Sequence, residues 1–79
     1  MPKLRVVSGK KLIKIFENFG FVRCGQEGSH IKMRRVYNGA VQTLVVPNHA
    51  SIAKGTLKDI YSQALEYISE KDLRNWFYT

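Results

Sequence analysis

The sequence predicts a single α+β domain in the order α-β-β-β-α, with a three-stranded antiparallel sheet and a short C-terminal helix. Three observations carry this. Apolar residues recur at helical spacing twice, as Leu12, Ile13, Phe16 and Phe19 and as Leu57, Ile60, Tyr61, Ala64, Leu65 and Ile68. Between them lie three runs rich in apolar and β-branched residues, 21–26, 30–37 and 41–46. Gly28-Ser29 and Asn38-Gly39 separate those runs with short turns, so consecutive strands pair antiparallel.

Taken in order, Ser8 is placed to cap the first helix. That helix runs from Gly9 to Phe19, with Lys10, Lys11, Lys14 and Glu17 between its apolar positions and Gly20 as its stop. Phe21 to Gln26 forms strand one, in which Cys24 alternates with Val22 and reads as a core residue. His30 to Tyr37 forms strand two. The period of two puts Ile31, Met33 and Tyr37 on the core face, with Arg35 near its edge, and His30, Lys32, Arg34 and Val36 on the other face. Strand three spans Val41 to Val46, and Pro47 ends its pairing. A loop through Lys54 leads to helix two, with Gly55-Thr56 at its start and an apolar stripe running on to Ile68. Ser69 opens a last short helix, with Asp72 at the position of a capping-box acid. The helices cover one face of the sheet and leave the other free for a ligand.

The chain of 79 residues has no repeat, low-complexity tract or linker, and reads as one domain over 1–79. A hydrophobic content of 44% with 11% aromatics fits a packed globule. The net charge of +7 favours polyanionic partners. Residues 1–58 hold eleven Lys/Arg against Glu17 and Glu27 (11 − 2 = +9), whereas residues 59–79 hold two against four acids (2 − 4 = −2). The basic surface therefore belongs to the first three quarters of the chain. Cys24 is the single cysteine, which excludes an internal disulfide and points to a reducing compartment. The sequence shows neither the apolar run of a signal peptide nor one long enough for a membrane span, so a cytoplasmic protein with no membrane partner is expected.

Gly28-Ser29-His30-Ile31-Lys32-Met33-Arg34-Arg35 is the segment that points to chemistry. It sets a histidine at a turn, in line with Lys32 and Arg34. Imidazole exchanges protons near neutral pH, and cations hold phosphates. His30 admits three readings: a plain surface residue beside a turn, a metal ligand, or a general acid/base for RNA cleavage. The metal reading has little behind it. His30 and His49 are the only histidines, and no Cys or acid cluster accompanies them at zinc-like spacing. No cofactor is implied. In the third reading a base takes the proton of a 2′-hydroxyl, whose oxygen attacks the adjacent phosphate while an acid protonates the leaving 5′-oxygen. Lys32 and Arg34 would stabilise the added negative charge.

His49, after Val46-Pro47-Asn48, reads either as a loop histidine bonded to backbone or as the second proton-transfer group. Pairing about Asn38-Gly39 sets His30 opposite Pro47 and brings the two histidines near each other. Lys10, Lys11 and Lys14 form either a solvated face or a phosphate-contacting edge. Lys54 is placed to hold a phosphate together with the first amides of helix two, where Gly55 permits close approach. Tyr61, Trp76, Phe77 and Tyr78 read as packing residues.

Several motifs together carry a family resemblance. Asn18-Phe19-Gly20-Phe21, Gly28-Ser29-His30, Val46-Pro47-Asn48-His49, and Gly55-Thr56-Leu57-Lys58-Asp59-Ile60 with Gln63-Ala64 resemble, in order and spacing, the HicA toxins of bacterial and archaeal toxin–antitoxin pairs. The resemblance runs from about Ser8 to Leu65. It implies a double-stranded-RNA-binding-domain-like fold and a ribosome-independent ribonuclease that cleaves mRNA and arrests growth. It implies that the histidine of Gly-Ser-His, here His30, is the catalytic residue, presented by the turn at Gly28 and Ser29. The implied partner is a HicB-type antitoxin that covers the active site and brings its own DNA-binding segment, so DNA binding by this chain itself is not expected. Two positions depart from the family pattern. Many members carry a second histidine after the first, where this chain has Ile31, and Leu65 stands in place of a usual glycine after Gln-Ala. The resulting expectation is a metal-independent endoribonuclease toxin acting on single-stranded or structured mRNA. The alternative is a non-catalytic module that binds duplex RNA through the same basic surface, and a third class is a protein-interaction domain whose charge serves an acidic partner.

Overall fold

The computed structural model describes residues 3–79 and has six elements in chain order: α1 (Gly9–Asn18), β1 (Val22–Glu27), β2 (His30–Tyr37), β3 (Ala40–Pro47), α2 (Lys54–Ala64) and α3 (Glu70–Phe77). Ser8 caps α1 as expected, its Oγ accepting from the Lys11 amide at 3.1 Å. α1 buries Leu12, Ile13, Ile15 and Phe16 and leaves Lys10, Lys11 and Lys14 exposed. The sheet is an antiparallel meander in the order β1-β2-β3. At the β2–β3 turn Asn38 and Gly39 both take positive φ, 51° and 80°, the geometry of a two-residue hairpin whose twist matches its strands.

The β2–β3 register runs unbroken from His30↔Pro47 to Tyr37↔Ala40. It places Ile31, Met33, Leu44 and Val46 on one face, all buried, where they meet Phe16, Phe21, Leu57, Leu73 and Phe77 in a single core. The opposite face carries Lys32, Arg34 and Val36 beside Val41 and Val45, all exposed. No helix among the described residues is long and apolar enough to cross a membrane.

Several expectations change. Cys24 is exposed, not core. The pairing of β1 with β2 shifts between Arg23 and Gly25, so Cys24 is the extra residue of a β-bulge, and every residue of this edge strand is exposed. The stripe read as continuing to Ile68 leaves the helix after Ala64, where a turn returns the Ile68 amide to the Ala64 carbonyl at 2.9 Å. Ile68 is still buried, but as part of that turn. Ser69 stands at the N-cap of α3 as expected, but the capping-box bonds do not form: its hydroxyl donates to Asp72 Oδ2 at 2.9 Å and accepts from no helix amide. Tyr37 is 53% exposed, whereas Arg35, expected near the edge, is drawn inward. Its guanidinium donates to the carbonyls of Phe19 (2.6 Å) and Tyr67 (2.8 Å) and to Gln42 Oε1 (2.6 Å), and lies over the rings of Phe21 and Tyr37. Arg35 thus ties the end of α1, β3 and the α2–α3 turn to one side chain.

The segment before α1 packs in a way the sequence pattern does not signal. Arg5 donates its amide to the Phe77 carbonyl at 2.7 Å, Leu4 bridges Tyr78, and Val7 accepts from the Ile52 amide at 3.0 Å. Tyr61, Phe77 and Tyr78 cluster beneath it with centroids 5.0 and 5.4 Å apart, consistent with their reading as packing residues. Burial first, and then the neighbouring Glu70 carboxylate, hold the Tyr61 phenol above its ordinary value of 10.0.

One close contact fixes the site's neighbourhood. Gly9 lies against the exit of β3, its amide donating to the His49 carbonyl at 2.8 Å. A Cβ there would collide with the Pro47 carbonyl oxygen.

Three stability outcomes are expected. Arg35→Leu should cost about 2–3 kcal/mol, because it strands two half-buried carbonyls, and Arg35→Lys should rescue little, since an ammonium does not span three acceptors. Gly9→Ala should destabilise by about 1–3 kcal/mol: the overlap with backbone outweighs the roughly 1 kcal/mol that alanine gains in a helix. Urea unfolding of each variant checks both. For Tyr61 the raised phenol pKa contributes stability that is complete below pH 10 and lost as pH rises through the folded value. The alkaline fall in melting temperature should therefore be shallower in Tyr61→Phe than in the parent chain.

Candidate active site

Three pieces of chain meet at one corner of the sheet. The first is the β1–β2 turn, where Gly28 takes φ +58° and lets Glu27 pair with His30 across two residues. The second is the end of β3, paired to His30 through Pro47. The third is the start of α1 at Gly9. Two hydrogen bonds lock them: Ser29 accepts from the Asn48 amide at 2.6 Å, and His49 accepts from Gly9 at 2.8 Å. The turn is further held by Gln26, whose amide donates to the Gly28 carbonyl at 3.0 Å. Gly28 and Ser29 thus shape the turn and anchor the next loop, so that His30 and His49 come out on the same side.

Two hollows flank His30. One, of about 320 Å³, lies between the end of the sheet and α2. Its sheet side is His30, Val45, Pro47 and His49, and its helix side is Thr56, Asp59, Ile60 and Gln63. The expectation that the two histidines lie near each other is met: both line this cleft. The other hollow, of about 670 Å³, lies over the β1 bulge, where Cys24 to Gly28 face Lys32 and Val45, again with His30 on its wall. Both histidines are exposed, so both are open to a ligand.

The remaining cations distribute unevenly. Lys32 lines the second hollow, and Arg34 follows on the same exposed face, opposite Val22 and Thr43. Lys11 lies elsewhere, beside Arg5, Asn75 and Trp76. Lys54 shares a separate hollow with Lys3, Leu4 and Lys58 at the start of α2, which Ala53 leaves without a side-chain cap. Lys10 and Lys14 are exposed on α1 and line neither hollow beside His30. Among the described residues no group of three or more His, Cys, Asp or Glu side chains is gathered to hold a metal ion.

Sequence reasoning did not single out Thr56, Asp59 and Gln63 as site residues. The signal was present: they recur at i, i+3 and i+7, a polar stripe next to the apolar stripe of Leu57, Ile60, Tyr61 and Ala64. What periodicity does not reveal is that this stripe borders the histidines, which depends on how α2 docks beside β3.

Comparison with known proteins bears on the same span. A family model described as "HicA toxin of bacterial toxin-antitoxin" matches residues 9–65 of the 79. No curated protein and no solved structure matches the chain. The matched span begins with the first residue of α1 and ends one residue beyond α2, so it contains both histidines, the turn that presents His30 and the polar stripe of α2. The chain belongs to the HicA toxin family and is thus the toxin half of a toxin–antitoxin pair, with an antitoxin as its partner.

Proposed function

We propose that this toxin is an mRNA interferase: a ribosome-independent, metal-independent endoribonuclease with His30 and His49 as its proton-transfer pair. The observation that carries the reading is the cleft lined by both histidines at the end of the exposed basic strand. One imidazole takes the 2′-hydroxyl proton, the oxygen attacks the adjacent phosphorus, and the other imidazole gives a proton to the departing 5′-oxygen. The products are a 2′,3′-cyclic phosphate and a 5′-hydroxyl. Lys32 and Arg34 support the negative phosphate as it gains charge. Each of these groups is a side chain of the protein, so the reaction needs no cofactor.

His30 is the residue assigned the larger role, because it forms a wall of both hollows and a phosphate resting over it has room on either side. His49 is the second acid/base. The cations on α1 and Lys54 line neither hollow beside His30 and would act by steering and holding the rest of the RNA. The antitoxin is proposed to be of the HicB type and to silence the toxin by covering the open face, and any DNA contact belongs to it.

The test is RNA cleavage by purified protein in excess EDTA. His30→Ala should lower the rate by about 10²–10⁴-fold with an unchanged far-UV circular dichroism spectrum, and the products should carry cyclic phosphate ends. His49→Ala should lower the rate as well, by about 10²–10⁴-fold, with the same unchanged spectrum. RNA binding with steep salt dependence but no cleavage by the parent chain would replace the nuclease with a binding module.

A further inference from the structure

We infer that the two hollows beside His30 are nucleobase subsites, one for each nucleotide joined by the bond that is cut, and that the substrate is single-stranded RNA with its bases splayed to either side. This rests on the nuclease reading and specifies its substrate.

His30 and Val45 line both hollows and so form the ridge between them. A phosphate held over the imidazole therefore has a recess on each side. Both volumes, about 320 and 670 Å³, fall in the range of small-ligand sites, roughly 300–1,000 Å³.

The linings suit bases better than phosphates. The cleft against α2 joins apolar Pro47 and Ile60 to the hydroxyl of Thr56, the amide of Gln63 and the carboxylate of Asp59. The hollow over the bulge offers the amide of Gln26, the carboxylate of Glu27 and the ammonium of Lys32 around Gly25 and Gly28. Each recess thus contains an acid that repels phosphate and accepts readily from a base amino group. The exposed face adds Val45 at the hollows and Val36 and Val41 towards the hairpin tip, apolar surface that a reader of duplex phosphates does not need.

Duplex RNA does not fill such recesses. Its bases are stacked and paired, and it is recognised by shape across the minor groove, whereas unstacked single strands present base edges to side chains. Splaying also serves the chemistry. In an A-form strand the 2′-oxygen sits beside the phosphorus rather than opposite the leaving oxygen. Parting the two bases lets the backbone turn until attack is in line.

The structure supplies a variant that fills a recess without a clash. A Cβ at Gly25 meets nothing within 4 Å, and Gly25 pairs with Lys32, so a side chain there enters the hollow over the bulge. Gln63→Ala strips an amide from the other recess.

The experiment uses short labelled RNAs cleavable at one position, single-stranded or annealed to a complement, and versions with an abasic sugar on either side of the cut. Annealing should lower kcat/KM by at least about 100-fold, and each abasic sugar by about 10–100-fold, the worth of one held base. Gly25→Leu should impair intact RNA by about tenfold yet cost nothing further on one of the two abasic RNAs. Gln63→Ala should show the same relation with the other. Equal cleavage of duplex and single strand, or cutting indifferent to both abasic sugars, would overturn the subsites and leave the nuclease standing. Absence of cleavage of every RNA would overturn the nuclease. Fluorescence anisotropy with the same oligonucleotides then judges the hollows alone: weaker binding of abasic and annealed RNA supports them, and equal affinities overturn them.

Discussion

The structure depends on the register between β2 and β3. Side chains on a strand alternate between faces, so a slip of one residue would turn Ile31 and Met33 to solvent and drive His30, Lys32 and Arg34 into the core. Nothing in the core could receive those charges. The Asn38-Gly39 turn sets the register locally, and the burial of Ile31, Met33, Leu44 and Val46 enforces it globally. Because Pro47 is paired to His30, the same register delivers His49 to the neighbourhood of His30. The packing of the interior and the assembly of the site are therefore one event in folding.

Much of this was legible in the residues because the relevant signals are short-range. The Ser8 cap, the two hairpin turns and the bounds of β2 follow from local chemistry, and the nearness of the two histidines follows from counting pairs back from Asn38-Gly39. What was not legible depends on distant groups. Arg35 falls on the core face by alternation, but its three acceptors come from the end of α1, from β3 and from the turn after α2, and no window of sequence contains them all. The same holds for the end of α2, where the apolar periodicity continues although the chain has already turned. Cys24 misled because alternation assumes regular pairing, and a bulge breaks the count.

The candidate site shows a division of labour along the chain. The segments that shape it lie within residues 9–65, which carry the family signature, whereas α3 and residues 3–7 pack together outside that span, through Phe77 and Tyr78. The charge divides along the sequence instead: residues 1–58 carry the basic excess, Lys3 and Arg5 of the bracing segment included, and residues 59–79 are net acidic. A polyanion approaching the molecule meets a field that orients it toward the exposed strands before any specific contact forms.

The bulge in β1 has a consequence for how the molecule keeps to itself. An exposed edge strand offers a ladder of free amides and carbonyls, and an apolar sheet face beside it would ordinarily invite another sheet to extend the first. Here the ladder is interrupted at Cys24, its flanks carry Arg23 and Glu27, and Gly25 offers no side chain to pack against a newcomer. A strand laid along this edge would lose its hydrogen bonds midway and meet charge at both ends. The β1 edge can therefore stay uncovered beside the valine-rich face without inviting another sheet to extend it.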